Sequence, residues 1–168
     1  MSSNTPITHH RKAVDPIAQL MQEHDHALLH LSALNKATQS IVSDGFSDER
    51  FQKVTTALAF IEEEISVHNK SEEEALFPVL ERYVEGPTAL MREEHRQMKK
   101  KFSLFRKAVE RMQRYPHEKK AAEDLLTISK VIVQMFVNHI HKENHILFPL
   151  VQKFLTKDAL REVARRML

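Results

Sequence analysis

Two segments of this chain set an imidazole and a carboxylate one helical turn apart. The first runs His68-Asn69-Lys70-Ser71-Glu72-Glu73-Glu74-Ala75-Leu76-Phe77-Pro78, the second His139-Ile140-His141-Lys142-Glu143-Asn144-His145-Ile146-Leu147-Phe148-Pro149. Both spell H-x-x-x-E-x-x-x-L-F-P at an offset of 71 positions, and the same offset carries Glu23-His24 onto Glu94-His95. Residues i and i+4 of a helix project from one face, so each H-x-x-x-E aims both groups at one point. Four imidazoles and two carboxylates converging from four helices make a metal site. The candidate ligands are His24, His68, Glu72, His95, His139 and Glu143.

Imidazole with carboxylate suits iron, zinc, copper or manganese. Six ligands are more than one tetrahedral zinc uses, whereas two ions sharing bridging carboxylates employ them all. Carboxylate-rich di-iron bundles of the ferritin type need two E-x-x-H motifs. That spacing occurs here once, from Glu23 to His26, with no second copy.

Helices must position these groups, and the apolar pattern supplies them. Residues 1–14 have no period and read as a flexible tail; its His9 and His10 suggest only adventitious metal binding. Asp15-Pro16 opens the first helix as N-cap and first helical residue. Its stripe is Ile17, Leu20, Met21, His24, Leu28, Leu31, Leu34 and Ile41, ending at Asp44-Gly45. Ser47 caps a second helix stepping through Phe51, Val54, Leu58, Ile61, Ile65, His68, Glu72, Leu76 and Val79. After Gly86-Pro87, Thr88 is expected to cap a third, with Met91, His95, Met98, Phe102, Phe105, Val109 and Met112 on its stripe. Beyond Pro116 a fourth carries Leu125, Ile128, Ile132, Met135, His139, Glu143, Ile146 and Leu150. A short amphipathic helix over 156–168 starts from a Thr156 cap, carries Leu160, Val163 and Met167, and is expected against the bundle end.

This predicts an all-α fold: an antiparallel up-down-up-down four-helix bundle over 15–155, then the short C-terminal helix. His24 and His68 each lie 22 residues from the first turn near residue 46, and His95 and His139 each 22 from the third near His117. Each pair therefore shares one height, roughly 33 Å from its turn. The second connection is less symmetric, so the chain beyond Pro78 must bend or fold back, and Pro78 and Pro149 are expected kinks.

A single histidine on an apolar stripe is most often a core residue. Six metal-ligating side chains on four stripes, with no Lys or Arg there to pair the carboxylates, are better explained by cations, because unpaired buried carboxylates are costly. His26, His30, His141 and His145 fall off the stripes and are assigned to the surface. Glu62-Glu63-Glu64 and Glu73-Glu74 read as a solvated acidic face, and Lys99-Lys100-Lys101 as a solvated basic one. Leu76, Phe77, Leu147 and Phe148 read as core that also fences water from the site.

Composition narrows the remainder. The 168 residues suffice for one domain with a sizeable core, and 2 glycines and 6 prolines favour helix. With no cysteine, thiolate zinc sites, cysteine-ligated clusters and thiol catalysis are excluded. No apolar run reaches membrane-span length and the N-terminus lacks signal-peptide order, so a cytoplasmic protein is expected. A net charge of +2 requires no nucleic acid.

From about Asp15 to Val151 the chain resembles the hemerythrin-like, HHE cation-binding family, on the doubled H-x-x-x-E-x-x-x-L-F-P and the two upstream Glu-His pairs. The resemblance implies two non-haem iron ions joined by an oxo or hydroxo bridge. It implies His24 and His68 on one iron, His95 and His139 on the other, and Glu72 and Glu143 bridging both. Oxygen carriers of the family place a third histidine four residues after the first ligand of the third helix, where this chain has Lys99; the repeat counterpart is Leu28. They also use Asp five residues after the fourth-helix histidine, where this chain has Glu143 at four. Each iron would then keep one open position, which argues against simple oxygen carriage, and the missing cysteines argue against the iron–sulfur-repair relatives. The expected function is binding, sensing or reacting with a small oxidant such as O2, peroxide or nitric oxide. The alternatives are a peroxidase- or oxidase-like enzyme and an iron-responsive interaction module; the oligomeric state is left open.

Overall fold

A computed structural model describes residues 14–167. Five helices follow one another: α1 Pro16–Asp44, α2 over 48–80, α3 Thr88–Arg114, α4 over 119–154 and α5 Lys157–Arg166. The first four form the expected bundle, with α1 against α2 and α4, and α3 against α4; α2 and α3 touch more sparingly. The expected tail and its two histidines lie, up to residue 13, outside the described residues. Among the described residues no helix is long and apolar enough to cross a membrane.

Local chemistry explains most boundaries. The Asp15 carboxylate accepts the Ile17 N–H at 3.0 Å, and the Ser47 and Thr156 hydroxyls accept the N–H groups of Arg50 and Ala159, each at 3.2 Å. Gly45 closes α1 at φ 90°, a backbone angle that a side chain would strain. Thr88 departs from expectation. It is the buried first residue of α3, the cap position is Pro87, and no side chain caps this helix. The asymmetric second connection is resolved by ending α2 at Leu80 and running 81–87 as a turn and link.

Neither proline breaks its helix. Instead α2 and α4 widen into π-helical turns at Glu72–Leu76 and Glu143–Leu147, in which the N–H of Phe77 reaches the carbonyl of Glu72 and that of Phe148 the carbonyl of Glu143. The wide turn relieves the clash between each proline ring and the carbonyl four residues before it. It also inserts one residue into the helical phase. Ile146, expected on the core stripe, is therefore 51% exposed, while Leu147, Phe148 and Val151 are buried. A third wide turn, Ile61–Ile65, has no proline behind it. On α1 the stripe is narrower than expected: Met21 and Leu28 are exposed, and Ala27, Ala37 and Thr38 complete the buried face.

The core has two storeys. One apolar cluster fills the bundle toward the first and third turns, from Ala27, Ile65, Met98 and Ile140 outward. The other, built on Ile17, Leu20, Leu76, Phe77, Met91, Leu147 and Phe148, is closed by Ala159 and Val163 of α5. Arg82 pairs through both terminal guanidinium nitrogens with Glu162 of α5, each at 2.9 Å. Between the storeys lies a single polar layer.

Candidate metal centre

That layer consists of His24 from α1, His68 and Glu72 from α2, His95 from α3, and His139 and Glu143 from α4, all buried. The structure thus brings all six sequence-selected residues together. The Nε2 atoms of His24 and His68 lie 3.1 Å apart, as do those of His95 and His139. Glu72 directs Oε1 at His68 and Oε2 at His95, both at 3.4 Å from Nε2. Glu143 directs Oε2 at His24 and Oε1 at His139, both at 2.8 Å. Each carboxylate thereby gives one oxygen to each histidine pair. Two groups of potential donors result: His24, His68, Glu72 and Glu143, and Glu72, His95, His139 and Glu143.

The donor set fits cations better than protons. The four carboxylate oxygens of Glu72 and Glu143 are fully buried and none is in hydrogen-bonding geometry, despite the nearby ring nitrogens. Close approach without hydrogen-bond alignment is what donors aimed at a common third atom show. Residues 15–151 match the sequence model of the hemerythrin family, described as the hemerythrin HHE cation binding domain. The chain belongs to the hemerythrin family. No curated protein matches it.

Four outward-facing groups orient the imidazoles of this hemerythrin domain. The Nδ1 of His68 lies 2.6 Å from Glu23, that of His95 2.7 Å from Glu73, that of His139 2.8 Å from Glu94, and that of His24 2.8 Å from the Asn144 side-chain oxygen. An acceptor on Nδ1 keeps that proton in place and leaves the Nε2 lone pair free to ligate. Sequence reasoning missed these four. Glu73 sits in an acidic run read as solvated, and Glu23 and Glu94 enter as the residues that precede His24 and His95. The usable signal was the repeat itself, which carries Glu23 onto Glu94 and Glu73 onto Asn144.

The carboxylates of the layer favour the protonated form of three of the imidazoles. Burial disfavours a charged His68, but the charge of Glu72, the nearby carboxylate of Glu143 and the hydrogen bond to Glu23 outweigh it, raising its pKa well above the ordinary value. Against the same burial penalty, Glu143 and Glu72 push His95 up to about 10, and Glu143 and Glu94 raise His139. Burial would raise the carboxyl of Glu143, yet the four surrounding histidines hold it well below the carboxylate range.

Phe148 stacks on His24 and Phe77 on His95, with ring centroids 5.5 and 6.0 Å apart, so the fence expected from L-F-P is present on both sides. A cavity of about 290 Å³, mostly apolar, reaches His24, His68 and His139 between Ala27, Phe60, Ile65, Phe136 and Ile140. Lys99 lies exposed on α3. His26, His141 and His145 are also exposed, the latter two stacked on each other. His30 departs from its surface assignment, half-buried with its ring stacked on Phe60.

Proposed function

We propose that the layer holds two bridged iron ions and that the protein binds, senses or reacts with a small oxidant such as O2, peroxide or nitric oxide. The observation that carries this reading is the set of four buried carboxylate oxygens left without hydrogen bonds between two histidine pairs. His24 and His68 would hold one ion, His95 and His139 the other, and Glu72 and Glu143 both. Iron in such a site supplies redox capacity and open positions for a small ligand. The chain does the rest. Glu23, Glu73, Glu94 and Asn144 fix the imidazole tautomers. Phe77 and Phe148 exclude water. The apolar cavity above His24 and His68 has room for a diatomic molecule or a peroxide.

Metal analysis of protein purified from iron-replete cells tests the reading. About two irons per chain are expected, with near-ultraviolet charge-transfer absorption in the oxidised form. A preparation that takes up one tightly held zinc and never two irons would sink it. Single-turnover mixing of the reduced protein with O2, peroxide and nitric oxide then separates the roles. A stable complex marks binding or sensing, and repeated turnover marks a peroxidase- or oxidase-like enzyme. A large thermal shift on loading, without reaction, marks an iron-responsive interaction module.

A further inference from the structure

The repeat that generates the six inner donors also generates the outer ring, with one exception. Glu23 on His68 corresponds to Glu94 on His139, and Phe148 against His24 to Phe77 against His95. Glu73 on His95, however, corresponds to Asn144 on His24. Three of the four imidazoles thus donate Nδ1–H to a carboxylate, and His24 alone donates to a neutral amide. We infer that Asn144 makes the two halves of the centre unequal, so that the His24/His68 position is the weaker of two otherwise matched metal sites. This rests on the two-metal reading above.

The physical argument is one of charge. A carboxylate accepting the Nδ1 proton pulls it away from the ring and raises the electron density at Nε2, strengthening the imidazole as a donor. An amide oxygen carries no net charge and does this less. Inner donors cannot create the difference, because both positions have two histidines and share both carboxylates. Two outer contacts bear on the balance. The Lys142 ammonium binds the other oxygen of Glu94 and, as a full charge, offsets part of the help that Glu94 gives His139, whereas the neutral side-chain amide of Gln19 donates to Glu23 at 3.1 Å and offsets less at His68. Lys142 therefore works against the Asn144 difference, but its side chain is 37% exposed and its charge is screened by solvent, so it narrows the gap without reversing it. Asn144 is a positioning residue here. It touches no ion and acts only through the ring of His24.

The test is anaerobic titration of the metal-free chain with ferrous iron, on wild type, Asn144→Asp and Glu73→Gln. Changes in such outer partners shift metal affinity by about 10–100-fold. Wild type should therefore bind its two ions in two separated steps. Asn144→Asp should tighten the second step until the two merge. Glu73→Gln should weaken the first step instead, closing the gap from the other side. Mössbauer spectra of the oxidised, iron-57-loaded protein give a second readout, with two quadrupole doublets in wild type converging toward one in Asn144→Asp. Equal steps in wild type, or a gap unchanged in both variants, would overturn the inference while the total of two ions preserved the reading beneath it. A total of one ion in wild type would remove both.

Discussion

Glu72 and Glu143 sit where a bundle of this size ordinarily places leucine, and each is 0% exposed. Leaving a carboxylate there without a counter-charge costs several kcal/mol, so the protein must keep either protons on the neighbouring imidazoles or cations between them. Each carboxylate gives one oxygen to each histidine pair, so removing either touches both pairs at once. Glu72→Ala and Glu143→Ala should each lose metal that His26→Ala and His141→Ala retain, as read by iron content after desalting. Equal loss in all four variants would contradict the assignment of faces. The outer carboxylates should behave more gently, with Glu23→Gln and Glu94→Gln weakening iron binding about 10–100-fold while the fold survives. The inner six were legible because their spacing is helical and doubled. The outer four were not: Glu73 follows Glu72 in a run that ends in the solvated Glu74, and Glu23, Glu94 and Asn144 lie off the apolar stripes that single out the inner six.

At the scale of the helix, phase is what the sequence conceals. Apolar spacing located α1 to α5 and the caps at Asp15, Ser47 and Thr156, all of which depend on near neighbours. A π-helical turn has no composition of its own. The proline after Glu143–Leu147 announces a disturbance but not whether the helix will bend or widen, and widening moves the buried stripe from Ile146 to Leu147. Chemical denaturation can read that one-residue step. Leu147→Ala should cost about 2–5 kcal/mol, the usual penalty for a cavity in a packed core. Ile146→Ala should change stability by no more than about 0.5 kcal/mol. The reverse order would mean that α4 keeps an unbroken α-helical phase through the site.

For the whole molecule, metal and proton compete for the same layer. His68, His95 and His139 have pKa values raised by folding, so their stabilising effect on the metal-free protein is full below the ordinary imidazole value. It fades as pH climbs toward the folded values, about 10 for His95. Glu143, lowered by folding, keeps its contribution throughout that range and loses it only in acid. Iron loading should therefore release protons into weakly buffered solution. The stability gap between preloaded and metal-free protein should also widen from about pH 6.5 to about pH 9 in thermal unfolding. No proton release on loading, or a gap that stays flat across that range, would mean that the histidines are neutral before metal arrives.

Half of the contacts of the layer cross between hairpins. Glu72 of the first hairpin reaches His95 of the second, and Glu143 of the second reaches His24 of the first. Glu73 and Phe77 likewise serve His95, while Asn144 and Phe148 serve His24. Neither hairpin finishes its own site; each finishes its neighbour's. That is the bonding pattern of an isologous dimer, in which residue i of one copy meets residue j of the other and the exchange is mutual. The chain is in effect two partners joined in tandem by the link at 81–87. Fusion gives such a pair a freedom that two identical subunits lack, since one half can change without the other. Asn144, standing where strict two-fold symmetry would put a second Glu73, is that freedom in use.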